Sequence, residues 1–207
     1  MRKIPPILAN ILLLNAIMYI ITLIKGDFMY KNFALFYFQS DLFKPYQILT
    51  YMFMHGGFAH LFFNMFTLYC FGSVLEEIWG GKKFLLFYLF TGIGAALCNE
   101  AVMYLQLQGD PALLAMICMA PTVGASGAIY GLLLAYGMMF PDNRMMLVFP
   151  PISLKAKWMI LVFFIIEFLC GVTGAFSTIA HFAHLGGMLF GLFLILIWKH
   201  KGRLYSE

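Results

Sequence analysis

The sequence predicts an all-α membrane protein: one domain over residues 1–207, built as a bundle of six transmembrane helices with its first outer connection lying in the membrane interface. Three observations predict it. Only 11% of the residues are charged and 63% are hydrophobic, against about 25% charge in an ordinary soluble domain, so polar side chains cannot cover a globule. Six apolar stretches approach the roughly 20 residues that a helix needs to cross a bilayer. The cations, finally, are shared unequally between alternate connections, as the positive-inside rule requires.

The first stretch, near 7–24, follows Arg2 and Lys3. Its length, and the lack of a small-residue cleavage site before Lys25, predict a retained helix rather than a signal peptide. Residues 25–56 contain NFALFYFQSDLFKPYQILTYMF, an aromatic run broken by charges and Pro45. That pattern suits short helices lying in the interface. The other spans are expected near 57–79, 83–106, 122–140, 156–172 and 179–199. With the N-terminus inside, the inner segments hold Arg2, Lys3, Lys82, Lys83, Arg144, Lys155, Lys157, Lys199, Lys201 and Arg203, and the outer ones only Lys25, Lys31 and Lys44. Both termini are therefore expected in the cytoplasm. No strand pattern, internal repeat or linker is evident.

The net charge of +4 reflects these inner cations, and no basic run resembles a nucleic-acid patch. Cys70, Cys98, Cys118 and Cys170 stand singly among apolar residues and read as small core residues.

Polar residues inside spans are costly and point to function. Three sets stand out. HGGFAHLFFNMF opens the second span and puts His60 and Asn64 four apart on one helical face. GASGAIYG opens the fourth, with Tyr130 one turn below Ser126, and AHFAHLGGMLFG opens the sixth, with His181 and His184. All three spans enter from the outer side, so the sets fall at a similar depth, with Ser126 expected about four residues, or roughly 6 Å, inside its helix. Gly127 and Gly131, and Gly187 and Gly191, form small-x-x-x-small pairs that let helices approach closely. Gly124 and Gly127 also leave room beside Ser126.

A serine needs a base to become a nucleophile. His184 is the expected base, being deeper than His181 and beside the glycine seam. Asp27, Asp41, Asp110 and Asp142 fall in loops, and Glu167 is read as deep in the fifth span, facing a polar cavity or another helix. The expectation is thus a Ser126–His184 dyad, its imidazole oriented by stacking on Tyr130 rather than by a carboxylate. Free N–H groups opening the fourth helix, with His60 and Asn64, are the expected oxyanion donors. Ala128 replaces the second glycine of a G-x-S-x-G elbow, which argues against an α/β-hydrolase.

HLFFN in the second span, GASGAIYG in the fourth and AHLGGMLFG in the sixth resemble, in that order, the rhomboid family of intramembrane serine proteases, over about residues 40 to 199. The resemblance implies that Ser126 and His184 are the dyad and that His60 and Asn64 help build the oxyanion hole. It also implies a six-helix core with a water-filled cavity open to the outer side. Many members carry Trp-Arg in the first outer loop, where this chain has Tyr46 and Gln47; His181 is expected to shape the cavity rather than react. The expected function is endoproteolysis of transmembrane segments near the outer face, among membrane lipids, without cofactor, metal or nucleic acid. A bacterial plasma membrane is the expected setting. Two rivals are a silent rhomboid-like binding protein and a haem or metal carrier using His55, His60, His181 and His184.

Overall fold

Proline at a first helical turn loses no hydrogen bond, because the N–H it lacks would have had no partner. Pro6 opens α1 (Pro6–Ile24) in this way. The computed structural model describes residues 3–107, 109–147, 151–174 and 180–205. Within it, the next N–H groups, of Ile7 and Leu8, donate to the Glu76 carboxylate at 2.9 and 2.7 Å. Glu76 is buried and belongs to α4 (Phe58–Trp79), so the start of one span is capped by a charge carried on another.

Between them, the connection from α1 to α4 forms α2 (Gly26–Phe33), the single turn α3 (Gln47–Thr50) and a 3-10 turn over Tyr51–Phe53. The expected short helices are present. Gln47 braces them: its Oε1 accepts from Lys44 N at 3.1 Å and Phe36 N at 3.4 Å, and its Nε2 donates to Leu42 O at 3.1 Å and Lys31 O at 3.3 Å. An uncharged amide, fully buried, thus ties the loop at four points, while Tyr46 stays exposed.

Gly80, with φ +74°, turns α4 into α5 (Gly81–Leu107). A short helix follows that the length criterion did not anticipate, α6 (Pro111–Met119). Asp110 caps it by accepting from Ala112 N and Leu113 N. Then come α7 (Ser126–Met139), a small antiparallel pair β1 (Arg144–Met146) and β2 (Ser153–Lys155), α8 (Ala156–Thr173) and α9 (His181–His200). The pair corrects the expectation of no strand; Asp142 beside it takes both Lys155 and Lys157 at 3.0 Å. Of the expected segments, Arg2 and residue 179 lie outside the described residues.

Five of these helices are long and apolar enough to cross a membrane, and α7 is the shorter sixth. About half of the apolar windows of α5 and α9 is buried, against about a fifth for α1, α4 and α8. So α5, α7 and α9 form the centre and the others a shell. The shell turns large side chains such as Leu13, Ile20, Phe63 and Leu169 outward, where lipid rather than water is the matching solvent. The chain is a membrane protein.

The fourth span starts later than expected, at Ser126 rather than near 122. Thr122 is extended and exchanges both backbone hydrogen bonds with Leu35 of the first connection, at 2.8 and 3.0 Å. Gly124, at φ +129°, then reverses the chain in a conformation that side chains resist. At 14 residues α7 is about 21 Å long, short of the roughly 30 Å hydrocarbon core.

Candidate active site

Ser126 is the first residue of α7, not four residues inside it. Its own N–H and that of Gly127 belong to the first turn, where helical geometry supplies no acceptor. Gly124 clears the space in front. A Cβ there would stand 2.9 Å from His60 Nε2 and 3.6 Å from Ser126 Oγ. The glycine therefore leaves open a point within hydrogen-bonding distance of His60 and in contact with the serine oxygen.

His184 Nε2 lies 2.8 Å from Ser126 Oγ. The seam that brings them together is glycine on glycine. A Cβ on Gly187 would stand 1.9 Å from Gly127 O; one on Gly191, 3.2 Å from Gly131 Cα; and one on Gly131, 3.0 Å from Gly187 O. Close backbone approach lets a side chain as short as serine meet a histidine on another helix. The imidazole stacks on Tyr130, with ring centres 4.3 Å apart and planes 9° apart.

A carboxylate also stands beside that imidazole, contrary to the expected absence of an acidic neighbour. Glu167 Oε2 is 2.9 Å from His184 Nδ1 and 2.6 Å from His181 Nδ1, and Oε1 accepts from the Tyr130 hydroxyl. The approach to His184 is oblique, for Nδ1 makes no directed hydrogen bond there. The physical reason for the correction is position along the helix: Glu167 lies six residues before the C-terminal end of α8 at Thr173, or about 9 Å, and that end leads into the start of α9, which carries His181 and His184. That is the level of Ser126. The rule that an ionisable group inside a span marks function was the available signal.

His60 and Asn64 reach the site from α4. Asn64 donates one amide hydrogen to His60 O at 2.9 Å, and His60 Nδ1 accepts from Gly56 N at 3.4 Å, leaving His60 Nε2 toward the space before Gly124. His55, buried behind it with ring centres 5.0 Å apart, is pushed down to about 3 by burial and then by His60, so it stays neutral. Tyr51, His60, Asn64, Ser126, His181 and His184 line one cavity of about 830 Å³. Among the described residues, the donor atoms that gather as a metal would require are those of Glu167, His181 and His184, within 4.8 Å of one another. His55 and His60 are not part of that set.

A sequence model of the rhomboid domain matches residues 42–201. Rhomboid-like protein 11, chloroplastic, of Arabidopsis thaliana is 32% identical over 196 residues, covering 84% of this chain and 56% of that protein. Presenilin-associated rhomboid-like protein, mitochondrial, of Homo sapiens is 30% identical over 159 residues, 74% of this chain and 39% of that one. Rhomboid protease GluP of Bacillus subtilis (strain 168) is 31% identical over 148 residues, 72% of this chain and 25% of that one. The chain thus spans about half the length of the first and less of the others. Two of the three names are organellar, so the expected bacterial plasma membrane gains no support from them.

Proposed function

Because the chain belongs to the rhomboid family, we propose that it is an intramembrane serine endopeptidase acting on transmembrane segments of other membrane proteins. The observation that carries this reading is the 2.8 Å contact between Ser126 Oγ and His184 Nε2 inside a cavity at the start of α7.

Ser126 Oγ attacks the scissile carbonyl carbon while His184 Nε2 takes its proton. The carbonyl oxygen gains the charge. We take as its donors the first N–H groups of α7, His60 Nε2 beside the space before Gly124, and the second amide hydrogen of Asn64, which lines the same cavity. The protonated His184 then gives its proton to the leaving amine, which departs and leaves an acyl-serine. Water entering through the cavity loses a proton to His184 and attacks the ester, and the proton returns to Ser126 as the acid leaves.

A peptide bond within a substrate helix is shielded by its own hydrogen bonds, and lipid holds no water for hydrolysis. The substrate must therefore unwind near Ser126. With both termini of the chain on the inner side, that level is just below the outer face. The apolar shell of α1, α4 and α8 keeps the enzyme in contact with lipid, and substrate enters sideways from it. We take α8 and the segment after it, residues 158–176, to be the movable side through which substrate enters; of these, residues 175 and 176 lie outside the described residues.

The test pairs covalent labelling by a fluorophosphonate with mass spectrometry of a cleaved model transmembrane substrate. Native protein should label and Ser126→Ala should not; His184→Ala should label at background rate while remaining monodisperse. Cuts should cluster near the outer boundary of the substrate helix. Labelling of Ser126→Ala equal to native, or cuts at the bilayer centre or inner side, overturns the proposal.

A further inference from the structure

Stacking on Tyr130 fixes the plane of the His184 ring but not which nitrogen carries the proton. A neutral imidazole has one N–H and one lone pair. Only the form protonated at Nδ1 leaves Nε2 able to accept from Ser126. Something must favour that form, and the acceptor beside Nδ1 is Glu167 Oε2 at 2.9 Å. A carboxylate has acceptors only, so its neighbour is favoured as the donor.

We propose that Glu167 is the positioning residue of this site, selecting the Nδ1–H form of His184 and stabilising the imidazolium formed when Ser126 gives up its proton. The proposal rests on the reading of Ser126 and His184 as nucleophile and base. The carboxylate is itself held from two further sides, by the Tyr130 hydroxyl from α7 and by His181 Nδ1 at 2.6 Å from α9. It is buried, so its charge acts on His184 with little screening. The polar groups around His184 are then Glu167 from α8, His181 from α9, Ser126 and Tyr130 from α7, and His60 from α4, which lines the same cavity. Among them only Glu167 brings negative charge.

Two other accounts fit less well. At 2.6 and 2.9 Å these atoms stand closer than the ligands of a tetrahedral zinc, which, bound at about 2.0–2.1 Å, are about 3.3 Å apart. A tie that merely holds α8 to the bundle would need Glu167 near Tyr130 or His181, but not also against His184. The tie is nevertheless real, since Glu167 is the one buried residue in the C-terminal half of α8, the others being Ala156, Met159 and Ile160. The group that positions the base is therefore carried by a helix that is otherwise mostly exposed.

Glu167→Gln is the test, because glutamine has the same shape but can turn an N–H toward Nδ1 and favour the wrong form of His184. We expect fluorophosphonate labelling of Ser126 in folded protein to slow by about 10²-fold. That is less than the roughly 10⁴-fold seen when the carboxylate of a Ser-His-Asp triad becomes an amide, because the approach here is oblique. Nitrogen-15 spectra of histidine-labelled protein should show His184 protonated at Nδ1 in the native chain and at Nε2 in the variant, with little change in melting temperature. Labelling within about threefold of native, or a native His184 protonated at Nε2, overturns the proposal. A lowered melting temperature with unchanged labelling per folded molecule would assign Glu167 a structural role and equally overturn it. Should the variant not fold, the spectrum of the native protein decides alone. Failure of the native protein to label while His184 carries its proton on Nδ1 would instead count against the protease reading.

Discussion

Gly187→Ala adds one methyl group at the tightest point of the seam. Its Cβ would stand 1.9 Å from Gly127 O and 2.7 Å from Gly127 C, whereas ordinary contact begins at 3.4 Å. Both opposing atoms are backbone, so no side chain can swing aside, and α9 must retreat from α7 by about 1.5 Å. His184 lies one turn before Gly187, and Ser126 adjoins Gly127. The same retreat therefore stretches the 2.8 Å contact to about 4 Å, beyond hydrogen-bonding range. A misplacement of about 1 Å costs on the order of 10² in rate, so fluorophosphonate labelling should fall at least about 10²-fold. Overpacking of this kind costs about 1–3 kcal/mol, or about 2–12 °C in detergent melts of a chain this size. Gly191→Ala is the control: its nearest atoms, Gly131 Cα and O and Phe87 Cζ, stand at 3.2 to 3.3 Å, so a few tenths of an ångström suffice and labelling should stay within about tenfold of native. A folded Gly187→Ala protein that labels at the native rate would refute the argument, as would equal losses in the two variants.

Two further outcomes are expected. His60→Ala and Asn64→Ala should each lower kcat about 10- to 10³-fold with little change in KM, because their hydrogen bonds strengthen only as the oxyanion forms; steady-state kinetics on a transmembrane substrate checks this, and an effect confined to KM would make them docking residues. His55 titrates near 6.5 when unfolded and at about 3 in the fold, so protons bind the unfolded chain first. Its contribution to stability is complete above pH 6.5 and is lost as pH falls toward 3, amounting to about 2 kcal/mol between pH 7 and 5. Melts at those two pH values should show a smaller drop for His55→Gln than for the native protein, and equal drops would exonerate His55.

Apolar length made the spanning helices legible, because crossing a bilayer demands it. The contacts of Ser126, His184 and Tyr130 followed from spacing, since residues one turn apart share a helical face and paired glycines bring two such faces together. Three features were hidden. The start of α7 depends on backbone pairing between Thr122 and Leu35, residues 87 apart in sequence, which no local pattern announces. The helix α6 was masked by a criterion set at membrane length, although Asp110 followed by Pro111 is a start signal. Glu167 reads as deep in its span, facing a cavity or another helix, and no local pattern says which neighbour it meets; the packing of α8 against α7 and α9 puts it beside His184. Gln47 shows the converse: its departure from the family's usual dipeptide left the loop's bracing open, and four hydrogen bonds from one amide supply it.

The shortness of α7 bears on how such a site keeps its hollow. A helix that crossed the hydrocarbon in full would need about 20 residues; α7 has 14, and the missing length, about 9 Å, is where the chain instead runs extended from Ala120 to Gly124 along the cavity wall. The hollow is thus a stretch of helix that was never built, rather than a hole carved by small side chains among large ones. Enlarging one wall residue would narrow it but would not fill it, because no single side chain replaces two turns of backbone. To dry such a site by mutation, the chain would have to be rewound, and the pairing of Thr122 with Leu35 is what stands against rewinding.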